Sequence, residues 1–116
     1  MTPWERRAPD WYTKQGDTSP AVAFQLLDGN GDVVPLAGAS VKFMMYAPGA
    51  ASPKVNAAAT ITDAPTGKVA YTLSGTDSDT PGDYLAEWQV TFAGGAIETF
   101  PNGTALKVRV LDDIAV

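Results

Sequence analysis

Apolar and polar residues alternate with period two along most of this chain. Val22, Phe24 and Leu26 fall on one face, as do Val41, Phe43 and Met45, and Val69, Tyr71 and Leu73. Tyr84, Ala86, Trp88, Val90 and Phe92 make the longest such row, and Leu106, Val108 and Val110 close the series. Strict alternation places one side-chain set on each face of a strand, so each row predicts a strand with one buried face. Glycine- and proline-rich turn signals separate the rows: Gly16–Pro20, Asp28–Asp32, Ala47–Gly49, Ala64–Gly67, Asp79–Gly82 and Ala93–Gly95. Candidate strands lie at Trp11–Gln15, Ala21–Leu27, Val33–Leu36, Ser40–Tyr46, Val55–Thr62, Lys68–Ser74, Tyr84–Phe92, Ala96–Phe100 and Ala105–Leu111. Two of these are short, so about seven to eight strands are expected. Only Ala50–Ala59 is alanine-rich enough for a helix, and Ser52-Pro53 with Val55 argues for a loop leading into a strand.

Short alternating strands at regular spacing predict an all-β fold, an immunoglobulin-like β-sandwich of antiparallel strands. Two local features agree. The segment Trp11–Leu26 reads as one strand broken by Lys14–Pro20. Gly16 tolerates a kink and Pro20 removes a ladder donor, which suits an edge strand that crosses from one sheet to the other. In "TPGDYLAEW" a glycine turn precedes Tyr84 at the start of a strand, the pattern of a tyrosine corner, with Ala86 where a cysteine is usual. Tyr84 and Trp88 are therefore expected in the core.

The length of 116 residues suits one domain, read as an extended arm over residues 1–10 and the sandwich over residues 11–116. Cysteine and histidine are both absent, which removes disulfides, thiolate or imidazole metal sites and every histidine-dependent nucleophile. The net charge of −5 argues against nucleic acid as a partner. Residues 1–14 hold Arg6, Arg7 and Lys14 against Glu5 and Asp10, so this segment carries +1 and the rest −6. "MTPWERRAPDW" lacks the apolar stretch of a secretory signal, and no apolar run approaches the roughly 18 residues of a membrane span. A soluble protein made in the cytoplasm, with no membrane partner, is the expectation.

Candidate chemistry is sparse. Asp28, Asn30 and Asp32 have the spacing of a calcium loop, but Val33 and Ala39 stand where glycine and glutamate belong, so a hairpin turn is expected. Asp77, Asp79 and Asp83 crowd a second loop, where aspartates capping backbone N–H groups are the plainer reading. Glu87 and Glu98 could be imagined as a glycosidase pair, but Glu87 lies opposite Trp88 and reads as an outward charge. No catalytic residues, cofactor or metal are expected. The residues that suggest a partner interface are Trp4, Arg6, Arg7, Trp11 and Tyr12 near the N-terminus, since Trp, Tyr and Arg dominate interface energies. Met44 and Tyr46 join them, because they make their strand apolar on both faces.

The stretch Tyr12–Met45, with Lys14–Thr18, Asp28–Gly31, Val34–Ala39 and Val41–Phe43 in order, resembles the N-terminal immunoglobulin-like domain of bacteriophage baseplate upper proteins. Gly67–Pro101 looks like the second half of that family's domain. The resemblance implies a non-enzymatic structural component of a virion, in the baseplate, tail, neck or capsid surface. Its implied partners are other virion proteins and copies of itself in a symmetric ring or lattice. Larger members continue into a fibre or receptor-binding region; here the module is expected to stand alone. The alternative function is a carbohydrate-binding module that meets host glycans through exposed aromatics.

Overall fold

A computed structural model describes residues 8–112. Among them are nine strands and no helix: β1 Trp11–Lys14, β2 Val22–Gln25, β3 Ser40–Tyr46, β4 Val55–Ala58, β5 Thr60–Asp63, β6 Lys68–Tyr71, β7 Gly82–Thr91, β8 Ile97–Phe100 and β9 Leu106–Leu111. The larger sheet runs β1-β9-β7-β3-β4, with β8 beside the second half of β7. The smaller sheet runs β2-β6-β5. β1 pairs parallel with β9 and every other ladder is antiparallel.

The alternating rows become the core. Val41, Phe43, Met45, Ala86, Trp88, Val90, Val108 and Val110 from the larger sheet meet Val22 and Val69 from the smaller, and all are buried. Each large apolar side chain so buried stabilises the fold by about 1.5–3 kcal/mol. Phe43 stacks on Tyr71 at 5.1 Å and meets Trp88 at 4.8 Å between ring centroids. The tyrosine corner forms: Tyr84 is buried, and its hydroxyl donates to the Thr80 carbonyl at 2.6 Å.

The interrupted first strand is a sheet switch. β1 lies in the larger sheet and β2 in the smaller. Between them Gly16 takes φ +80, and its N–H donates to the Ser78 carbonyl at 2.9 Å. Ser78 is fully buried and returns a bond from its hydroxyl to the Asp17 carbonyl at 3.0 Å.

Two expected strands differ. Val55–Thr62 is not continuous: β4 pairs with β3, Ala59 bonds Val41, and β5 then pairs with β6 in the other sheet. Ala57, Ala59 and Ile61 all pack against the core, so the inward parity survives the hop and the alternation does not betray it. Val33–Leu36 forms only an isolated bridge, Leu27 with Val33. Pro35 has no N–H to give a ladder. Val34 and Leu36 instead bond Leu26 and Ala64 and bury their side chains in the core. Gly67 makes this crossing possible. Its φ is +71, and a Cβ there would stand 2.6 Å from the Val34 carbonyl oxygen.

Candidate functional site

The acidic loops are satisfied internally. Asp28 accepts the N–H groups of Asn30 at 2.8 Å and Asp32 at 3.0 Å, the geometry of a turn. Asp77 accepts the Ser74 N–H at 2.8 Å and the Tyr71 hydroxyl at 2.7 Å. Burial, reinforced by that carboxylate, pushes the Tyr71 phenol up to about 12. Asp79 pairs with Lys54. Asp83 lies on β7, where it takes Arg109 through Nε at 2.7 Å and Nη2 at 3.2 Å. The Arg109 guanidinium holds the Asp83 carboxyl below the usual carboxylate range, against the opposing effect of burial. Lys107, fully buried, brings its Nζ within 3.6 Å of the same carboxylate. The described residues contain no group of three or more His, Cys, Asp or Glu able to hold a metal ion.

Of the expected interface residues four are described, and three of these share one face. Trp4, Arg6 and Arg7 lie outside the described residues. Trp11 and Tyr12 point to opposite faces of β1: Trp11 packs against the core, while Tyr12 stays 65% exposed on the outer face. Met44 and Tyr46 also lie on the outer face of the larger sheet, half-buried, in register with Glu87 and Leu85 of β7. Asp10 is already tied to the sandwich, its N–H to the Lys107 carbonyl at 2.8 Å and its carboxylate to the Lys107 N–H at 2.7 Å.

A site that the sequence did not disclose opens at the seam between the sheets. β7 pairs Trp88 with Phe100 and Ala86 with Leu106, so the Pro101–Ala105 segment leaves the ladder between two β7 positions. Across this break lies β2, an edge strand of the smaller sheet. Between them is a pocket of about 170 Å³. Phe24, Gln25, Leu26 and Leu27 form one wall, Phe100, Pro101 and Leu106 the other, and Trp88 lines it too. The indole N–H of Trp88 is buried with no acceptor among the described residues. Beside the pocket, Leu27 and Val33 face each other across their bridge and remain 44% and 41% exposed. The traces in the sequence were the Leu26-Leu27 doublet, which breaks the alternation, and Pro101 inside the last strand pair.

No family model matches the chain, and no curated protein matches it. Among solved structures it is similar to CopC from Methylosinus trichosporium OB3b, with a TM-score of 0.51 and 13% identity over 90% of this chain and 86% of that one. CopC is a β-sandwich. The shared feature is the immunoglobulin-like sandwich.

This comparison corrects the expected function. The structural neighbour is CopC and not a virion component, which points away from the expected role as a phage structural part, and that expectation is withdrawn. The motifs behind it sit where the fold needs them: Tyr12 and Lys14 on β1, Gly16–Thr18 in the sheet switch, Asp28–Gly31 in the hairpin, Val41–Phe43 on β3. A sandwich of this kind carries many unrelated functions. Among the described residues Tyr12 is the exposed large aromatic, and Trp4 lies outside them. The chain has no histidine or cysteine, and Met44 and Met45 lie on opposite faces of β3, so their sulfurs do not converge.

Proposed function

We propose that this protein is a non-catalytic docking module that binds an extended protein segment along the seam between β2 and the β8–β9 break. One observation carries this reading: an apolar pocket lies directly beside a sheet edge that is unpaired among the described residues. An edge strand offers a row of N–H and C=O groups to an incoming strand, and a neighbouring pocket takes one of its side chains. At about 170 Å³ the pocket suits one large apolar side chain, up to an indole. The exposed Leu27 and Val33 extend the apolar contact beyond it.

Selection of random peptides against the full chain tests this. The expected binders carry one bulky apolar side chain in an extended segment and lose at least tenfold in affinity to Leu27→Arg. Binders that ignore Leu27→Arg and Val33→Arg alike would place docking elsewhere and overturn the reading.

A further inference from the structure

The occupant of the seam can be named from charge and chain length. The pocket adjoins acidic groups. Asp28 follows Leu27, Asp32 precedes Val33, and Glu98 stands two residues before Phe100. Lys68 stands opposite Gln25 and Asp63 in the β2-β6-β5 register. A fitting segment therefore carries a large apolar side chain followed by positive charge. The chain holds such a segment in the seven residues that precede the described ones: Pro3, Trp4, Glu5, Arg6 and Arg7. It belongs to the locally basic end of an otherwise acidic chain, and Pro3 disfavours a helix. The described chain begins beside the seam, since Asp10 is bonded to Lys107 and Leu106 lines the pocket.

We propose that the seam receives residues Pro3–Arg7 of a second copy, with Trp4 filling the pocket and Arg6 and Arg7 meeting the Asp28–Asp32 hairpin. The inference rests on the docking reading above and supplies its partner. The contact is heterologous: one copy gives the segment and the other gives the pocket. Tryptophan and arginine supply its anchors, and the opposed charges set its salt dependence.

Sedimentation of the full chain and its variants across concentration tests the proposal. Trp4→Ala loses the anchor, and Leu27→Arg spoils the pocket rim at an exposed position. Each is expected to weaken self-association at least tenfold. An equimolar mixture of the two is expected to recover a one-to-one dimer, because one variant keeps a sound pocket and the other a sound segment. Asp32→Lys, also exposed, is expected to weaken association and flatten its dependence on salt, and it serves if Leu27→Arg folds poorly. A chain that stays monomeric at millimolar concentration, a Trp4→Ala variant that associates normally, or a mixture without the dimer each overturns the proposal. In those cases peptides selected against the full chain still report on the seam, so failure of the partner and failure of the docking reading are distinguishable.

Discussion

The rings of Phe24 and Trp88 meet at the seam with centroids 6.0 Å apart and planes tilted by 60°. Trp88 is fully buried, while Phe24 on the edge strand is only partly so. The pair thus joins the core to the pocket wall. Replacing Trp88 with alanine is expected to cost about 3–5 kcal/mol, as for other large buried aromatics. Replacing it with phenylalanine is expected to cost far less, about 1 kcal/mol, because the indole N–H has no acceptor among the described residues. Urea denaturation of both variants checks this. Equal losses would mean that the N–H has a partner after all.

The hydroxyl of Tyr84 ties the start of β7 to the Thr80 carbonyl. Tyr84→Phe keeps the ring and removes the bond, leaving the carbonyl without its donor. A loss of about 1–1.5 kcal/mol is expected. For a domain of this size that lowers the melting temperature by several degrees. An unchanged melting temperature would show that the corner is ornamental.

Two titrating groups shape the stability profile at its opposite ends. The folded Asp83 carboxyl titrates below its unfolded value of about 3.9. Its contribution is therefore present above about pH 4 and lost as pH falls through the lower folded value. Tyr71, raised from 10.0 to about 12, contributes fully below pH 10.0 and loses that contribution as pH rises toward 12. Urea midpoints measured against pH are expected to show less acid sensitivity for Asp83→Asn and a flatter alkaline limb for Tyr71→Phe.

Gly67 is the glycine whose replacement is most costly on this geometry. Gly67→Ala sets a left-handed φ of +71 and a 2.6 Å approach to the Val34 carbonyl against the new Cβ. The conformation alone costs roughly 1–2 kcal/mol, and relief of the clash adds to it. Thermal melting of this variant beside Gly29→Ala, which has open space and no positive φ, isolates the effect.

Sequence pattern revealed the fold far better than the site, for a physical reason. Alternation reports which side of a strand is buried, and Trp88, Tyr84 and the β1–β2 switch were all visible from it. It does not report which sheet a strand joins, so the hop at Ala59 was hidden by unbroken inward parity. It also treats every inward position alike. Phe24 and Leu106 read as ordinary core residues, yet the departure of Pro101–Ala105 from the ladder leaves both lining an open pocket. Alternation likewise separates the two described N-terminal aromatics: Trp11 packs inward and Tyr12 is presented to solvent.

The most direct test of the account maps the contact itself. Backbone and indole N–H resonances of the full chain can be followed by nuclear magnetic resonance as it self-associates, or as it takes up a selected peptide. The seam account predicts shifts clustered at Phe24–Leu27, at Phe100–Leu106 and at the Trp88 indole N–H, with the outer face of the larger sheet undisturbed. Shifts centred on Tyr12, Met44, Tyr46 and Ile97, with the seam unmoved, would contradict it.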